Sequence, residues 1–382
     1  MTESTSAETA GFFSSTSPIA PIGDKTLQSL SDQLLNSSGT TPLHSRFRAL
    51  FTLKSICIPP FTSPVSSSIV STIAAGFSSD RTSALLRHEL AYVLGQIGSP
   101  LAIPILEQVL CDVQGQEEMV RHEAAEALAA IGSTSSIPLL QKFATEPGRG
   151  GKDDGRVVRE TCEIALAKIQ WNQSDEAKKA QAEGELLDRY GVFVNYFKQF
   201  TSIDPAPPLI AHSPLVTMPP STIDKEIPAA RSHSAITDSH VCITKYRHPE
   251  AIDALCAGFD DDSALFKHEI AFILGQLSHP HSIPALVEVL KRPNESAMVR
   301  HEAAEALGGI PSPSVADDDG LEAKGSGSAV FKLLREWAAK DDAPQVVRDS
   351  CVVAVDMWEY ENSSQFQYAN GLEEKSETIA VS

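Results

Sequence analysis

A run of ten residues occurs twice in this chain, letter for letter, about half the chain apart. It reads Met-Val-Arg-His-Glu-Ala-Ala-Glu-Ala-Leu and occupies Met119–Leu128 and Met298–Leu307. A related stretch precedes each copy, and its His-Glu dipeptide begins at His88 and at His268. A single short motif carries a real false-positive risk, but four His-Glu pairs in duplicated register are not chance. The chain is therefore built from an internal duplication.

The spacing of these pairs predicts paired helices. Within the halves, the histidines lie 34 positions apart (88 to 122) and 33 positions apart (268 to 301). After the first decapeptide begins, apolar residues recur at the positions that form one face of an α-helix, from Val120 to Ile131. Gly132 then follows as a C-cap. Helix pairs that repeat every thirty-odd residues indicate a helical solenoid, and the pattern Val-Arg-x-x-Ala-Ala-x-Ala-Leu-x-x-Ile resembles the HEAT repeat.

We therefore predict an all-α fold, a HEAT-like α-helical solenoid in two pseudo-symmetric halves joined by a variable linker. The N-terminal repeats are expected over 25–170 and the C-terminal repeats over 249–360. Residues 171–248 lose the periodicity and are rich in Pro and Ser, which favours an irregular linker. Residues 1–24 are polar and predicted to be disordered, and 361–382 form a polar tail.

Composition narrows the classes of function. The net charge of −19 disfavours nucleic acid, which needs a basic face, and fits a cationic partner or simple solubility. No apolar run approaches membrane-spanning length, and the first residues do not resemble a secretory signal. The six cysteines form no Cys-x-x-Cys, which favours reduced thiols. We expect a cytoplasmic protein, with the nucleus as a second location, and neither a membrane nor a nucleic-acid partner.

The four His-Glu pairs are candidate metal ligands. Each pair lies near the start of the second helix of a repeat, and stacked helices are about 8–10 Å apart, so imidazoles from adjacent repeats can approach one ion. Neighbouring residues on a helix diverge by about 100°, so the His and Glu of one pair need not bind the same atom. One carboxylate can complete a set of two histidines and one carboxylate, which leaves coordination positions open as non-haem Fe(II) oxygen chemistry requires.

Other interpretations of the histidines stay open at this point. A repeat consensus explains Ala and Leu but not a recurring His, although a non-catalytic HEAT-repeat scaffold could have copied it passively. A two-metal hydrolase with zinc or manganese could use the same ligands. No His-Glu-x-x-His is present, which disfavours a zincin protease. Seven further histidines lack the register and are interpreted as ordinary surface or loop residues: His44, His212, His233, His240, His248, His279 and His281.

Two blocks of HEAT-like repeats, each with two His-Glu motifs and joined by a variable linker, resemble deoxyhypusine hydroxylase. The resemblance covers about Leu43–Ile169 and Pro249–Glu359, and it includes the phrase Ser-Ile-Asp-Pro-Ala-Pro-Pro that begins at Ser202. Its most specific motif is His-Glu-x-Ala-x-x-Leu-Gly-Gln followed by Val-Arg-His-Glu-Ala-Ala-Glu-Ala-Leu, present twice.

This resemblance implies a monooxygenase with two Fe(II) ions. Such an enzyme uses O₂ and an external reductant to hydroxylate deoxyhypusine, a modified lysine on a eukaryotic translation initiation factor, and so produces hypusine. The resemblance also implies eight site residues: for one ion His88, His122 and Glu123; for the other ion His268, His301 and Glu302; and for the cationic amines of the substrate side chain, Glu89 and Glu269.

The chain departs from the family pattern at the start of its second half. The family has an Arg-Tyr-Arg-Ala-Met-Phe-like helix there, which matches Arg46–Leu53 in the first half. Here only Tyr246 and Arg247 stand before His248. Either the fifth repeat is truncated, or the sequence translates a wrongly spliced gene. This departure bears on the packing of the sixth repeat, and so on the placement of His268.

Overall fold

The computed structural model describes residues 24–79, 83–145, 155–175, 178, 249–310 and 326–361, and its regular elements within these ranges are all helical. The predicted all-α solenoid is confirmed. Fourteen α-helices are described. The first half contains α1 (Asp24–Leu34), α2 (Leu43–Ile56), α3 (Pro64–Ser79), α4 (Ala84–Ile97), α5 (Ile103–Cys111), α6 (Glu118–Ile131), α7 (Ile137–Thr145) and α8 (Arg156–Gln173). The second half contains α9 (Pro249–Cys256), α10 (Ala264–Leu277), α11 (Ile283–Lys291), α12 (Ala297–Gly309), α13 (Ser326–Ala338) and α14 (Gln345–Glu361).

The predicted segment boundaries stay predictions. Helix α8 continues to Gln173 and α14 to Glu361. Nearly all of the N-terminal segment, most of the linker and nearly all of the tail lie outside the described residues, as does the departure from the family pattern at Tyr246 and Arg247. Among the helices that are described, none has the length and apolar character needed to cross a membrane.

Capping residues fix the helices that carry the first His-Glu pair of each half. Ser83 accepts a hydrogen bond from the backbone N–H of Leu86 at the start of α4, and Ser263 accepts one from Phe266 at the start of α10. Each bond satisfies a donor that the helix start would otherwise leave without a partner. Helix α4 ends at Gly98, whose φ of 70° lies in the left-handed region that glycine adopts easily.

The arginine of the repeated decapeptide joins neighbouring repeats. Arg121 donates from Nε to the carbonyl oxygen of Leu110 at 2.9 Å, and its guanidinium lies 5.2 Å from the ring centroid of Phe143. Arg300 makes the corresponding hydrogen bond at 3.0 Å and the corresponding cation–π contact at 4.9 Å. Each arginine therefore links the end of the preceding helix to the first helix of the next repeat, which holds the histidine beside it in a fixed place.

Each half has its own cluster of buried apolar side chains, and the first cluster extends into the second half. One cluster of buried apolar side chains includes Leu94 and Leu128 of the first half, and a second cluster includes Leu274 and Leu307 of the second half. Leu265 of α10 belongs to the first cluster, although it lies in the second half of the chain. Burial of apolar side chains is the main stabilising contribution to a solenoid. Packing between the two halves therefore stabilises both of them.

The two halves meet at both ends through equivalent contacts. Helix α14 packs against α2 and α4, while α8 packs against α10. Ser83 donates from Oγ to Oδ2 of Asp349 at 3.0 Å, and Ser263 donates from Oγ to Oε2 of Glu160 at 2.8 Å. The same two serines that cap α4 and α10 thus bridge the halves. The start of α4 is therefore tied to α14, and the start of α10 is tied to α8.

Candidate metal centre

The four histidines of the His-Glu pairs lie together between the halves. Within the halves, the ring centroids of His88 and His122 are 5.5 Å apart and those of His268 and His301 are 5.4 Å apart. Across the halves, the distances from His88 to His301 and from His122 to His268 are both 5.3 Å. All four side chains are buried. The structure therefore places His268 in the cluster, although the chain departs from the family pattern shortly before it.

The first histidine of each half contacts two glutamates, and these contacts are equivalent in the two halves. Nδ1 of His88 lies 3.2 Å from Oε1 of Glu89, and Nε2 of His88 lies 3.2 Å from Oε2 of Glu123. Each imidazole thus lies between the carboxylate that follows it in sequence and a carboxylate from the next repeat. In the second half the distances are 3.2 and 3.4 Å, for the pairs His268–Glu269 and His268–Glu302.

Two further glutamates, which the sequence analysis missed, lie behind the second histidine of each half. Oε1 of Glu126 is 3.8 Å from Nδ1 of His122, and Oε1 of Glu305 is 3.6 Å from Nδ1 of His301. Ser350 of α14 donates a hydrogen bond of 3.0 Å to Glu305. Metal-bound histidines usually give their second ring nitrogen to a carboxylate. The signal was present in the decapeptide, where His and Glu stand four residues apart on one helix face.

Buried polar atoms without a hydrogen-bond partner are concentrated in this cluster. Leaving such an atom unpaired costs about 1–3 kcal/mol, so a native site that contains several of them has another use for them. The donors are imidazole nitrogens and carboxylate oxygens, which suit a divalent first-row metal. The residues present therefore fit a metal ion. Among the described residues the atoms are Nε2 of His88, His122, His268 and His301, Nδ1 of His122 and His301, and Oε1 of Glu123.

Groups of three donors lie close enough together to share an ion. In each group the candidate ligand atoms all lie within 4.8 Å of one another. The first group, His88, His122 and Glu123, is the ligand set that the resemblance implies for the first ion. The second group lies within the second half and contains His301, Glu302 and Glu305. The third group combines residues of both halves, namely His88, His268 and His301.

The four imidazoles differ in their preference for a proton. Burial opposes the charged form of His88, but the neighbouring glutamates outweigh it and hold its pKa well above the usual value. The same balance raises the pKa of His268 to about 9. Burial and the neighbouring imidazoles hold the pKa of His122 and of His301 well below the usual value. Because metals bind neutral imidazole, His122 and His301 already have the form of a ligand, whereas His88 and His268 would release a proton.

A cavity of about 260 Å³ opens beside the histidine cluster. Phe51, Phe272 and Met357 supply apolar walls, and Tyr92 supplies a hydroxyl. Buried carboxylates in an apolar wall are costly unless a cation or a hydrogen-bond donor meets them. The cavity therefore suits a cationic group. Six glutamates line it: Glu89, Glu123, Glu126, Glu269, Glu302 and Glu305.

Comparisons with known proteins agree with this geometry. The family model for HEAT repeats matches residues 77–167 and 252–356. The deoxyhypusine hydroxylase of Lentinula edodes is 46% identical over 367 residues, which cover 93% of this chain and 98% of that relative. The chain belongs to the deoxyhypusine hydroxylase family. A relative of the same name from Cryptococcus neoformans var. neoformans is 42% identical and covers 93% of this chain and 91% of its own length.

A solved structure of this family has the same fold. The structure of human deoxyhypusine hydroxylase in complex with glycerol is 33% identical, with a TM-score of 0.66, and the match covers 88% of this chain and 96% of that one. The predicted family and the predicted helical repeat fold are both confirmed. The match extends over both halves of this chain.

The eight site residues that the family resemblance implied all lie at this one place in the structure. Their individual roles stay predictions, because the ring distances within the halves and across them are almost equal. Two of the four glutamates in this set have pKa values shifted in opposite directions. Burial raises the pKa of Glu89 to about 7. Burial also opposes the charged form of Glu302, but the neighbouring imidazoles, with His268 the largest contributor, outweigh it and lower the pKa of that carboxyl. A carboxylate that already favours its charged form suits a metal ligand better than one that does not.

Proposed function

We infer that this protein is a deoxyhypusine hydroxylase, an enzyme that hydroxylates the deoxyhypusine side chain of a protein substrate. One observation carries the proposal: four buried histidines from two duplicated halves converge on an acidic cavity in a chain of this family. We propose that the substrate is a eukaryotic translation initiation factor and that the product is hypusine.

Six residues at the cluster are proposed to hold two Fe(II) ions. The unpartnered imidazole nitrogens support this assignment, since a divalent ion would use them. Bound iron supplies the activation of O₂, with electrons from an external reductant. The proposed ligands are His88, His122 and Glu123 for one ion, and His268, His301 and Glu302 for the other. One group of three donors combines residues of both halves. An ion held by ligands from both halves is therefore the alternative assignment.

The remaining residues of the cavity are proposed to hold the substrate side chain. Glu89 and Glu269 face the cavity and can pair with the cationic amines, because charge-assisted hydrogen bonds are stronger than neutral ones. Phe51, Phe272 and Met357 can pack against the methylene groups between the amines. This packing would exclude water from the carbon that is hydroxylated.

The rival functions explain less of the structure. A non-catalytic scaffold has no use for a cluster of buried donors without partners, which lowers the stability of the fold. A two-metal hydrolase would use similar ligands, but the relatives covering most of the chain are named deoxyhypusine hydroxylase. For location, the five cysteines among the described residues are free thiols, which supports the proposal of a cytoplasmic protein, with the nucleus as a second location.

Isotope labelling tests the proposed function. The iron-loaded protein is incubated with the deoxyhypusine-bearing translation factor, a reductant and dioxygen labelled with a heavy oxygen isotope. The mass of the modified peptide is then measured by mass spectrometry. We expect one heavy oxygen atom in the product and no product without dioxygen. A scaffold would give no product, and a hydrolase would give a product that does not depend on dioxygen.

A further inference from the structure

A hydrogen-bond chain made of first-half residues reaches the cavity. Lys54 of α2 donates from Nζ to Oε1 of Gln96 of α4. Gln96 then donates from Nε2 to the hydroxyl oxygen of Tyr92 at 2.6 Å, and Tyr92 lines the cavity. Tyr92 follows His88 by four residues, so the two side chains share one face of α4. The hydroxyl at the end of the chain is therefore held close to the histidine cluster.

The direction of this chain is fixed by its first member. A lysine ammonium can donate but cannot accept, so Gln96 turns its amide oxygen toward Lys54. The amide NH₂ then faces Tyr92, and the phenol oxygen must be the acceptor. The phenol hydrogen is left to donate elsewhere, and in the described part of the chain no hydrogen bond uses it. Tyr92 thus presents a donor to whatever occupies the cavity.

The phenol is held in place and keeps its hydrogen. The ring of Phe272 packs edge-on against the ring of Tyr92, with centroids 6.3 Å apart and planes at 71°. Burial and the charge of nearby glutamates hold the pKa of Tyr92 well above its usual value. Phe272 occupies the position in α10 that Tyr92 occupies in α4, and it has no hydroxyl. The donor therefore stands on one side of an otherwise pseudo-symmetric site.

We propose that Tyr92 is a specificity-determining residue that donates a hydrogen bond to the hydroxyl oxygen of the product side chain. The proposal rests on the proposed function. Substrate and product differ by one hydroxyl group, and a site with a donor for that group favours the form that carries it. Because Tyr92 lies one helical turn from His88, the oxygen is held beside the ligands of the first half.

Two substitutions remove the donor in different ways. Tyr92→Phe deletes the hydroxyl and copies the residue of the second half. Gln96→Glu keeps an acceptor for Lys54 but offers a carboxylate to Tyr92, so the phenol hydrogen turns away from the cavity. Lys332→Met, on the exposed face of α13, is the matched control. For each iron-loaded variant, equilibrium binding is measured with the translation factor in its deoxyhypusine form and in its hypusine form.

The ratio of the two affinities decides the question. In both Tyr92→Phe and Gln96→Glu, we expect the preference for the hypusine form to fall about threefold to tenfold, the range of one neutral hydrogen bond. Iron content should be unchanged, and the affinity for the deoxyhypusine form should stay within about twofold. An unchanged ratio in Tyr92→Phe would overturn the proposal while leaving the enzyme's function intact. A wild-type protein that converts no substrate would instead contradict the proposed function, and this inference with it.

Discussion

The first and second halves of the molecule share their ligand geometry but not the wall of the cavity. The contacts between histidines and glutamates agree within 0.2 Å from one half to the other, for example 3.8 Å for His122–Glu126 and 3.6 Å for His301–Glu305. The cavity, however, is lined by Gly275 and Gly309 of the second half, and their first-half counterparts do not line it. Identical decapeptides thus produce equivalent ligands, while the residues outside them shape the space for the substrate.

Helix packing explains part of this difference. After the decapeptide, the first half continues with Ala129 and the second half with Gly308. A Cβ atom at Gly308 would lie 2.7 Å from Cα and Cβ of Ala354, so α12 packs more closely on α14 than an alanine allows. Helix α14 carries Ser350, which holds Glu305, and Met357, which lines the cavity. The small residue therefore brings a wall of the cavity into place.

The largest expected effect is the loss of a histidine, which tests whether the halves are equal. His88→Ala and His268→Ala should each lower activity by more than about a hundredfold, because even residues behind metal ligands cost ten- to a hundredfold. His122→Ala and His301→Ala should be as severe. Turnover is measured by mass spectrometry, with His281→Ala as the surface control. Full activity in any of the four cluster variants would show that the substituted histidine is not a metal ligand.

The next effect separates the acids by role. Glu123→Ala and Glu302→Ala should lose iron, because these carboxylates lie on the Nε2 side of the histidines. Glu89→Ala and Glu269→Ala should keep more iron and weaken substrate binding about tenfold to a hundredfold, since each removes a charge-assisted hydrogen bond. Iron analysis and equilibrium binding are measured on the same preparations. Equal loss of iron in all four variants would contradict this division between metal and substrate.

A smaller effect tests the close packing of the second half. Gly308→Ala should lower the free energy of unfolding by about 1–2 kcal/mol, because overpacking costs about 1–3 kcal/mol and outweighs the better helix propensity of alanine. Urea denaturation measures the change. Gly309→Ala is the control, since its Cβ would meet only the sulfur of Met357 at 3.7 Å. If Gly308→Ala were as stable as the wild type, the tight contact with Ala354 would not exist in solution.

The smallest effect concerns the net negative charge of the whole chain. A protein of net charge −19 should attract a cationic substrate side chain at long range, and such attraction is screened over about 8 Å at physiological ionic strength. Association with the deoxyhypusine-bearing protein should slow as salt rises, while the dissociation rate changes less. Stopped-flow kinetics over a salt series measures both rates. An association rate that is indifferent to salt would assign the surface charge to solubility alone.

The sequence predicted the helices and the grouping of the histidines because both follow from local periodicity and from the duplication. His88 and His122 recur at the repeat spacing, so stacking of repeats places them together. The direction of the hydrogen bond at Tyr92 could not be predicted from the sequence, because it depends on how Lys54 of α2 approaches α4. The tight contact at Gly308 was equally hidden, since a glycine in a helix reveals nothing about the neighbour it meets.

Iron K-edge X-ray absorption tests whether both halves supply donors to one joint metal site. The wild-type protein, loaded with Fe(II) and assayed for iron per chain, should show nitrogen and oxygen ligands and an iron–iron distance of about 3.5–4 Å, as in other two-metal sites. The ring distances of 5.3 Å across the halves favour this proximity. Two irons per chain without an iron–iron signal, or a single iron per chain, would contradict a joint site of two ions.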